Sequence, residues 1–298
     1  MSGQDKIYQM VTERMVAELT VGNVPWHKPW AGGGMPCNLV TKREYRGINV
    51  FMLSMMGYTS PYFLSFKQIQ ALGGKVKKGE HGTPVVFWKW LDVTDKQKDG
   101  TNKAKKIPFL RYYTVFNVDQ TENIDAKKIP TVETREFHPI EDAEKIIANM
   151  PNAPKIGHNE PRACYRPSTD EVNMPKKELF EGEAEYYSTM FHELGHSTGH
   201  SSRLNRAEVG LSSFFGNHSY SKEELTAEMT AVFLCNGIGL NATWDNSVAY
   251  LQNWLKSLQN DPKMLLQAAG RAQKAADYIL NVKQESYSTK EEDKEEKE

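Results

Sequence analysis

Cysteine is scarce in this chain and poorly placed for cross-linking. Cys37, Cys164 and Cys235 are odd in number, far apart and include no Cys-x-x-Cys pair. That excludes a disulfide framework and points to a reducing compartment. No run approaches the roughly 20 consecutive apolar residues that span a bilayer. The first residues, MSGQDKIYQMVTERM, lack a basic segment followed by an apolar core, so no signal peptide is expected. The expected location is the cytoplasm, with no membrane partner. No internal repeat is visible, and net charge is nearly absent, at −1 over 298 residues. That length leaves room for two domains of ordinary size.

The small net charge conceals an asymmetry. Residues 1–130 carry 19 Lys and Arg against 11 Asp and Glu, whereas residues 131–298 carry 18 against 27. A basic first part and an acidic second part suggest two domains with different partners. The expected organisation is α+β: a mixed first domain over 1–130, a mostly helical second domain over 131–283, and a disordered acidic tail over 284–298.

In the first domain, Ile7, Met10, Val11, Met15 and Leu19 predict an amphipathic helix over 5–20. The Pro-, Gly- and Trp-rich segment 24–34 reads as a loop. Short helices are expected near 48–56 and 65–72. Residues 84–91 and 109–118 have the β-branched and aromatic content of strands. The charged stretch 92–106 between them is expected to be a mobile hairpin loop, and 119–140 a linker. In the second domain, helices are expected near 140–149, 176–180, 183–198, 221–236, 245–258 and 261–282. Short strands are expected at 162–166 and 170–174, the latter at a sheet edge because Pro175 ends it.

The chemistry concentrates at His192-Glu193-Leu194-Gly195-His196, a His-Glu-x-x-His match. On a helix, side chains at i and i+4 share a face, so both imidazoles can reach one metal ion. Glu193, one residue along, is placed as a general base that takes a proton from water and passes it to a leaving amine. Tyr187, Met190, Phe191 and Leu194 supply a stripe that anchors the helix, which makes Tyr187 a core residue. Tyr186 and Tyr220 are the other tyrosines near enough in sequence to stabilise an oxyanion. A second helix offers Glu224 and Glu228, again at i and i+4. One carboxylate can complete a site of two His and one acid, and the other can accept a hydrogen bond from a ligand imidazole. Glu223 points about 100° away and is expected to face solvent. His200 and His218 are rival third ligands. On an ideal helix His200 lies roughly 12 Å along the axis from His192. Ser202 stands where the metzincin pattern would need a histidine. The pattern resembles the gluzincin peptidases, in which the first acid of such a pair binds the metal. That resemblance assigns Glu224 as ligand and Glu228 as the carboxylate behind it, with the reverse left open. The metal implied is Zn2+, with another divalent ion such as Mn2+ an alternative.

The basic domain interleaves aromatic and cationic residues, and four of the six tryptophans, Trp26, Trp30, Trp88 and Trp90, lie in it. Exposed aromatic faces stack on unpaired bases while Lys and Arg follow the phosphates. Trp26, Lys28, Trp30, Arg43, Tyr45, Arg46, Lys75, Lys77, Lys78 and Arg111 are the candidate nucleic-acid contacts. Trp88, Lys89, Trp90, Tyr112 and Tyr113 belong to the same interleaved set. The alternative is that these tryptophans are simply core.

These segments together resemble the ArdC-type antirestriction proteins of conjugative plasmids and the related N-terminal region of plasmid primases. The first half carries the resemblance through Pro25-Trp26-x-x-Pro29-Trp30, Asn38, Tyr45-Arg46-Gly47-Ile48-Asn49, Leu72-Gly73-Gly74, Lys77-Lys78-Gly79 and Tyr113-x-Val115-Phe116-Asn117. The second half carries it through His192 to His200, Arg203-Leu204 and Glu223-Glu224-Leu225-x-Ala227-Glu228. The resemblance implies an N-terminal single-stranded-DNA-binding domain and a C-terminal zincin-like metallopeptidase domain. It also implies a role in shielding plasmid DNA, entering as a single strand by conjugation, from host restriction. In a sharper version of this reading, the zinc domain acts on a nearby protein such as a host restriction factor. Two other readings remain open: a DNA-coating protein whose zinc site cleaves nothing, and a cytoplasmic zinc peptidase without a DNA function.

Overall fold

Near the N-terminus, Ile7, Val11, Met15 and Leu19 recur every four residues along helix α1 (Gly3–Thr20), and all four are buried. The structure is a computed structural model that describes residues 3–27, 34–96, 102–130, 138–206, 218–240 and 248–282. The expected acidic tail lies outside the described residues.

After α1 come β1 (Cys37–Asn38), α2 (Ile48–Ser54), β2 (Tyr62–Ser65), α3 (Phe66–Ala71), β3 (Lys75–Val76), β4 (Thr83–Lys96), β5 (Asn102–Asn117) and β6 (Thr121–Glu122). The main sheet has the order β1-β2-β5-β4, with β1 parallel to β2 and the other pairs antiparallel. α3 starts where its sequence says it should: Ser65 accepts from the Gln68 amide and the Gln68 side chain accepts in return.

Two expectations for this half are corrected. The stretch 92–106 is not a long loop, because the β4–β5 ladder continues through Asp92↔Lys106 to Lys96↔Asn102. Its register pairs positions 92–96 with 106–102 in an unbroken antiparallel ladder. Nor is 119–130 a free linker. Asn117 and Gln120 cap a 3-10 turn over Val118–Gln120, and β6 then pairs with β3.

The second half contains α4 (Pro139–Asn149), β7 (Lys155–Gly157), β8 (Cys164–Arg166), β9 (Glu171–Asn173), α5 (Glu183–Ser197), α6 (His218–Gly237), α7 (Val248–Asn260) and α8 (Met264–Ile279). The helix expected at 176–180 is a single 3-10 turn, Lys177–Leu179. The three strands lie in the order β7-β9-β8, so the segment expected at the edge is the central strand. β7 takes its free side in parallel. The sequence hid β7, since three residues with one apolar member show no alternation. No helix among the described residues is long and apolar enough to cross a membrane.

The apolar core does not stop at residue 130. One buried cluster runs from α1, Trp26 and α2 into α5, α6, α7 and α8. Phe51 and Phe233 stack with ring centroids 4.9 Å apart, Trp26 meets Trp254 edge-on at 6.0 Å, and Arg46 forms an ion pair with Asp277. Fully burying one such large apolar side chain contributes about 1.5–3 kcal/mol, so each half relies on the other.

The loop after α5 is held to the three-stranded sheet by Arg203, whose side chain is 1% exposed. Its guanidinium donates to the carbonyls of Ser197 and Asn152 at 2.7 Å each, to both carboxylate oxygens of Asp170, and to the Tyr165 hydroxyl. The bond from Arg203 holds the Asp170 carboxyl below its usual range, more than burial raises it. A depressed carboxylate stabilises the fold above its unfolded pKa and loses that contribution as pH falls through the folded value. Asp170→Asn is the clean test, because residue 170 has φ +51°, a region asparagine tolerates. We expect it to lower stability by about 2 kcal/mol near neutral pH. Thermal melts at decreasing pH should show the gap to wild type closing in acid.

Candidate metal centre

Helix α5 buries Tyr187, Met190, Phe191 and Leu194. That face fixes the rotation of the helix and leaves His192 and His196 together on the flank next to it. Their Nε2 atoms are 3.1 Å apart and the rings are nearly perpendicular, at 81°. Glu224, on α6, places one carboxylate oxygen 3.5 Å from His192 Nε2 and the other 3.5 Å from His196 Nε2. The three side chains offer ligand atoms that all lie within 4.8 Å of one another, the one such group among the described residues. All three are half-buried, so the cluster opens to solvent on one side. Two imidazoles, one carboxylate and an open side form a donor set that fits a divalent transition metal.

α6 reaches this position because Gly195 has no side chain. A Cβ there would lie 3.1 Å from the Ala227 Cα and 3.2 Å from its carbonyl oxygen, closer than backbone normally allows. Glu193 is buried beside the cluster. His200 turns away to Ser202, its Nδ1 2.8 Å from the hydroxyl. The side chains of His218 and Tyr220 lie outside the described residues. Tyr186 and Tyr187 are buried, and the Tyr187 hydroxyl donates to Glu144 at 2.5 Å while accepting from Lys177. Neither is presented as an oxyanion donor.

The carboxylates behind the cluster differ from expectation. Glu223, expected in solvent, is 6% exposed, and its Oε1 lies 3.4 Å from His196 Nδ1. The loop 198–206 folds back over it and delivers Arg206. That guanidinium donates to both Glu223 oxygens, at 2.9 and 2.5 Å, and also to Thr198 Oγ1 and the Gly195 carbonyl. Glu228, expected behind a ligand imidazole, instead accepts a bond from Trp26 Nε1 at 3.0 Å. Neither Arg206 nor this use of Glu223 was legible, because the covering loop, rather than helical spacing, decides which neighbour of Glu224 faces inward.

The charges reinforce one another. Burial alone would push the His196 imidazole down, but bonds to Glu223 and Glu224 hold it up at about 10. Burial raises the two carboxyls, yet bonds to the imidazoles, and Arg206 at Glu223, keep both below their ordinary range. These bonds favour the protonated His196 imidazole, and a cation bound there would compete with that proton.

The candidate nucleic-acid residues divide. Trp26 is fully buried and Tyr45 nearly so, its ring edge-on to Phe63 at 6.2 Å, so neither indole nor phenol face is open to a base. Arg46 is engaged by Asp277, Lys75 by Glu122 at 3.1 Å, and Lys77 donates to the Asp119 carbonyl. Arg43 and Lys78 are exposed, and Arg111 lies over the Phe109 ring. Lys28 and Trp30 fall outside the described residues. The exposed aromatics among the described residues of this half are instead Phe66, Trp88, Trp90 and Tyr112, at 50%, 43%, 49% and 50%.

Removing the charge behind His196 should loosen any metal held there. Glu223→Gln is expected to weaken Zn2+ and Mn2+ binding about 10–100-fold, measured by competition with a chromophoric chelator. Unchanged affinity would show that Glu223 serves only the fold.

Known proteins match this arrangement. A model described as the N-terminal domain of anti-restriction factor ArdC matches residues 5–116, and one described as zincin-like metallopeptidase matches residues 141–271. A DNA primase TraC of Escherichia coli is 36% identical over 297 residues, covering 93% of this chain and 27% of the primase. The chain thus spans about a quarter of the length of that relative. The protein y4eC of Sinorhizobium fredii is 34% identical, over 92% of this chain and 91% of its own. The metal-free crystal structure of the antirestriction ArdC protein from plasmid R388 superposes with a TM-score of 0.72 at 38% identity, covering 91% of this chain and 96% of that one. Its Mn(II)-bound structure gives 0.72 at 37%, over 92% and 97%. With both domain models matched and whole-length likeness to those structures, the chain belongs to the ArdC family of antirestriction proteins.

Proposed function

We propose that this protein binds single-stranded plasmid DNA entering by conjugation, protects it from host restriction, and carries a gluzincin-like metallopeptidase site. The convergence of His192, His196 and Glu224 beside Glu193 carries the catalytic part of this reading. Family membership and the exposed aromatic and basic residues of the first half support the DNA part. The domain assignment follows the same lines: DNA binding centred on 1–130, peptidase chemistry on 131–283, in the cytoplasm.

In this reading His192, His196 and Glu224 hold the ion, Zn2+ or Mn2+; the second is found in the R388 relative. When bound, the ion supplies a Lewis acid that polarises a carbonyl and acidifies water. The protein's own groups do the rest. Glu193 takes a proton from water and delivers it to the leaving amine. Glu223 orients the His196 ring through Nδ1, and Arg206 keeps Glu223 ionised and in place. Because β9 is central, the strand that lines up an extended peptide is the outer strand β8, which packs against α5. A host restriction factor is the proposed protein substrate.

Glu193→Ala separates the parts of this proposal. It should keep its metal, measured by elemental analysis of dialysed protein, and lose peptidase activity on restriction-enzyme subunits by at least about 100-fold. Surviving activity would remove Glu193 as the base. Undiminished protection of transferred DNA by this variant would show that DNA coverage alone accounts for antirestriction.

A further inference from the structure

Away from the metal cluster, a groove of about 380 Å3 opens between the edge strand β4 and helix α8. Its volume falls in the range of small-ligand sites, roughly 300–1,000 Å3. One wall carries Trp88 and Trp90, two residues apart on β4 and therefore on one face of the strand. The opposite wall is Gly270, Gln273 and Lys274 of α8, which belongs to the zincin-like half.

The two walls are locked to each other. Asn49 donates to the Val86 carbonyl at 2.7 Å and accepts from the Val86 amide at 2.8 Å, fixing the β4 edge to α2. The Gly47 amide donates to the Gln273 side chain at 3.0 Å, fixing α2 to α8. The groove is therefore preformed. Arg43, Arg46 and Lys274 line it against one acid, Glu44, which makes it cationic even with Arg46 engaged by Asp277.

We propose that this groove is where the protein takes unpaired nucleotides, with bases against Trp88 and Trp90 and phosphates along Arg43 and Lys274. The proposal rests on the single-strand-binding reading and sharpens it: the DNA site is composite and needs α8 from the second half. Exposed indole faces suit bases freed from pairing, which a duplex does not present. A cationic rim suits the phosphates between them. Family likeness alone would place this site within the first half.

The test is fluorescence anisotropy of the full chain with a labelled oligothymidylate over a salt series, with matched circular-dichroism melts confirming that each variant folds. Trp88→Ala and Trp90→Ala should each weaken binding about 5–100-fold. Lys274→Glu should weaken it about tenfold and flatten the salt dependence. Arg162→Glu, an exposed charge outside the groove, should stay within about twofold of wild type. If the wild type binds and the groove variants bind equally well, the groove is wrong and single-strand binding stands. If the tryptophan variants fail while Lys274→Glu binds normally, the contribution of α8 is wrong. Equal affinity for inorganic polyphosphate would overturn the stacking role. Absence of binding by the wild type would remove the functional reading and the groove with it.

Discussion

The close approach of α5 and α6 at Gly195 is the constraint on which the metal centre depends. With no Cβ at that position, the Ala227 backbone lies 3.1–3.2 Å from where one would stand, closer than a side chain there would comfortably allow. α6 then lies near enough for two consecutive glutamates to reach the same imidazole. Glu224 addresses His196 from the Nε2 side and Glu223 from the Nδ1 side, so two neighbours on α6 engage the two nitrogens of one ring. Arg206 closes the arrangement by binding Glu223 and the carbonyl of Gly195 itself. The guanidinium is buried, and it would be costly there without the carboxylate it neutralises. Helix packing, ligand orientation and charge compensation are thus one device.

What could be read in the sequence was what short-range spacing decides. The His pair follows from i, i+4 geometry on one helix, the gluzincin resemblance favours Glu224 over Glu228 on the other, and the stripe from Tyr187 to Leu194 locates the buried face that orients the histidines. The helices α1, α5 and α6 lie close to where apolar spacing placed them. Long-range packing decided the rest. Nothing local distinguishes a tryptophan that stacks on a base from one that packs against Trp254 and bonds to Glu228, so Trp26 was misplaced. Tyr45 failed likewise, its burial set by Phe63 on another element. The inner β4–β5 pair is legible in its β-branched and aromatic runs, but its outer part, 92–96 with 102–106, is not, because register rather than apolar alternation extends it. The central place of β9 depended on β7, a strand too short to announce itself.

The shared core bears on how the two halves are joined. α6 presents Glu224 to the histidines and, one turn later, Glu228 to Trp26. The helix that carries Glu224 is therefore held in part by a residue of the first half. Cutting the chain near residue 130 would strip that donor from a buried carboxylate and expose the apolar surfaces of α1, α2, α7 and α8 together. The likeness to TraC is consistent with this. It spans 93% of this chain in one alignment, yet only 27% of the primase, so both halves occur together inside a much longer protein. Two domains joined by a flexible linker need not keep such company. A pair that shares tryptophans, an ion pair and one apolar interior has a physical reason to, because neither part is complete without the surface the other covers.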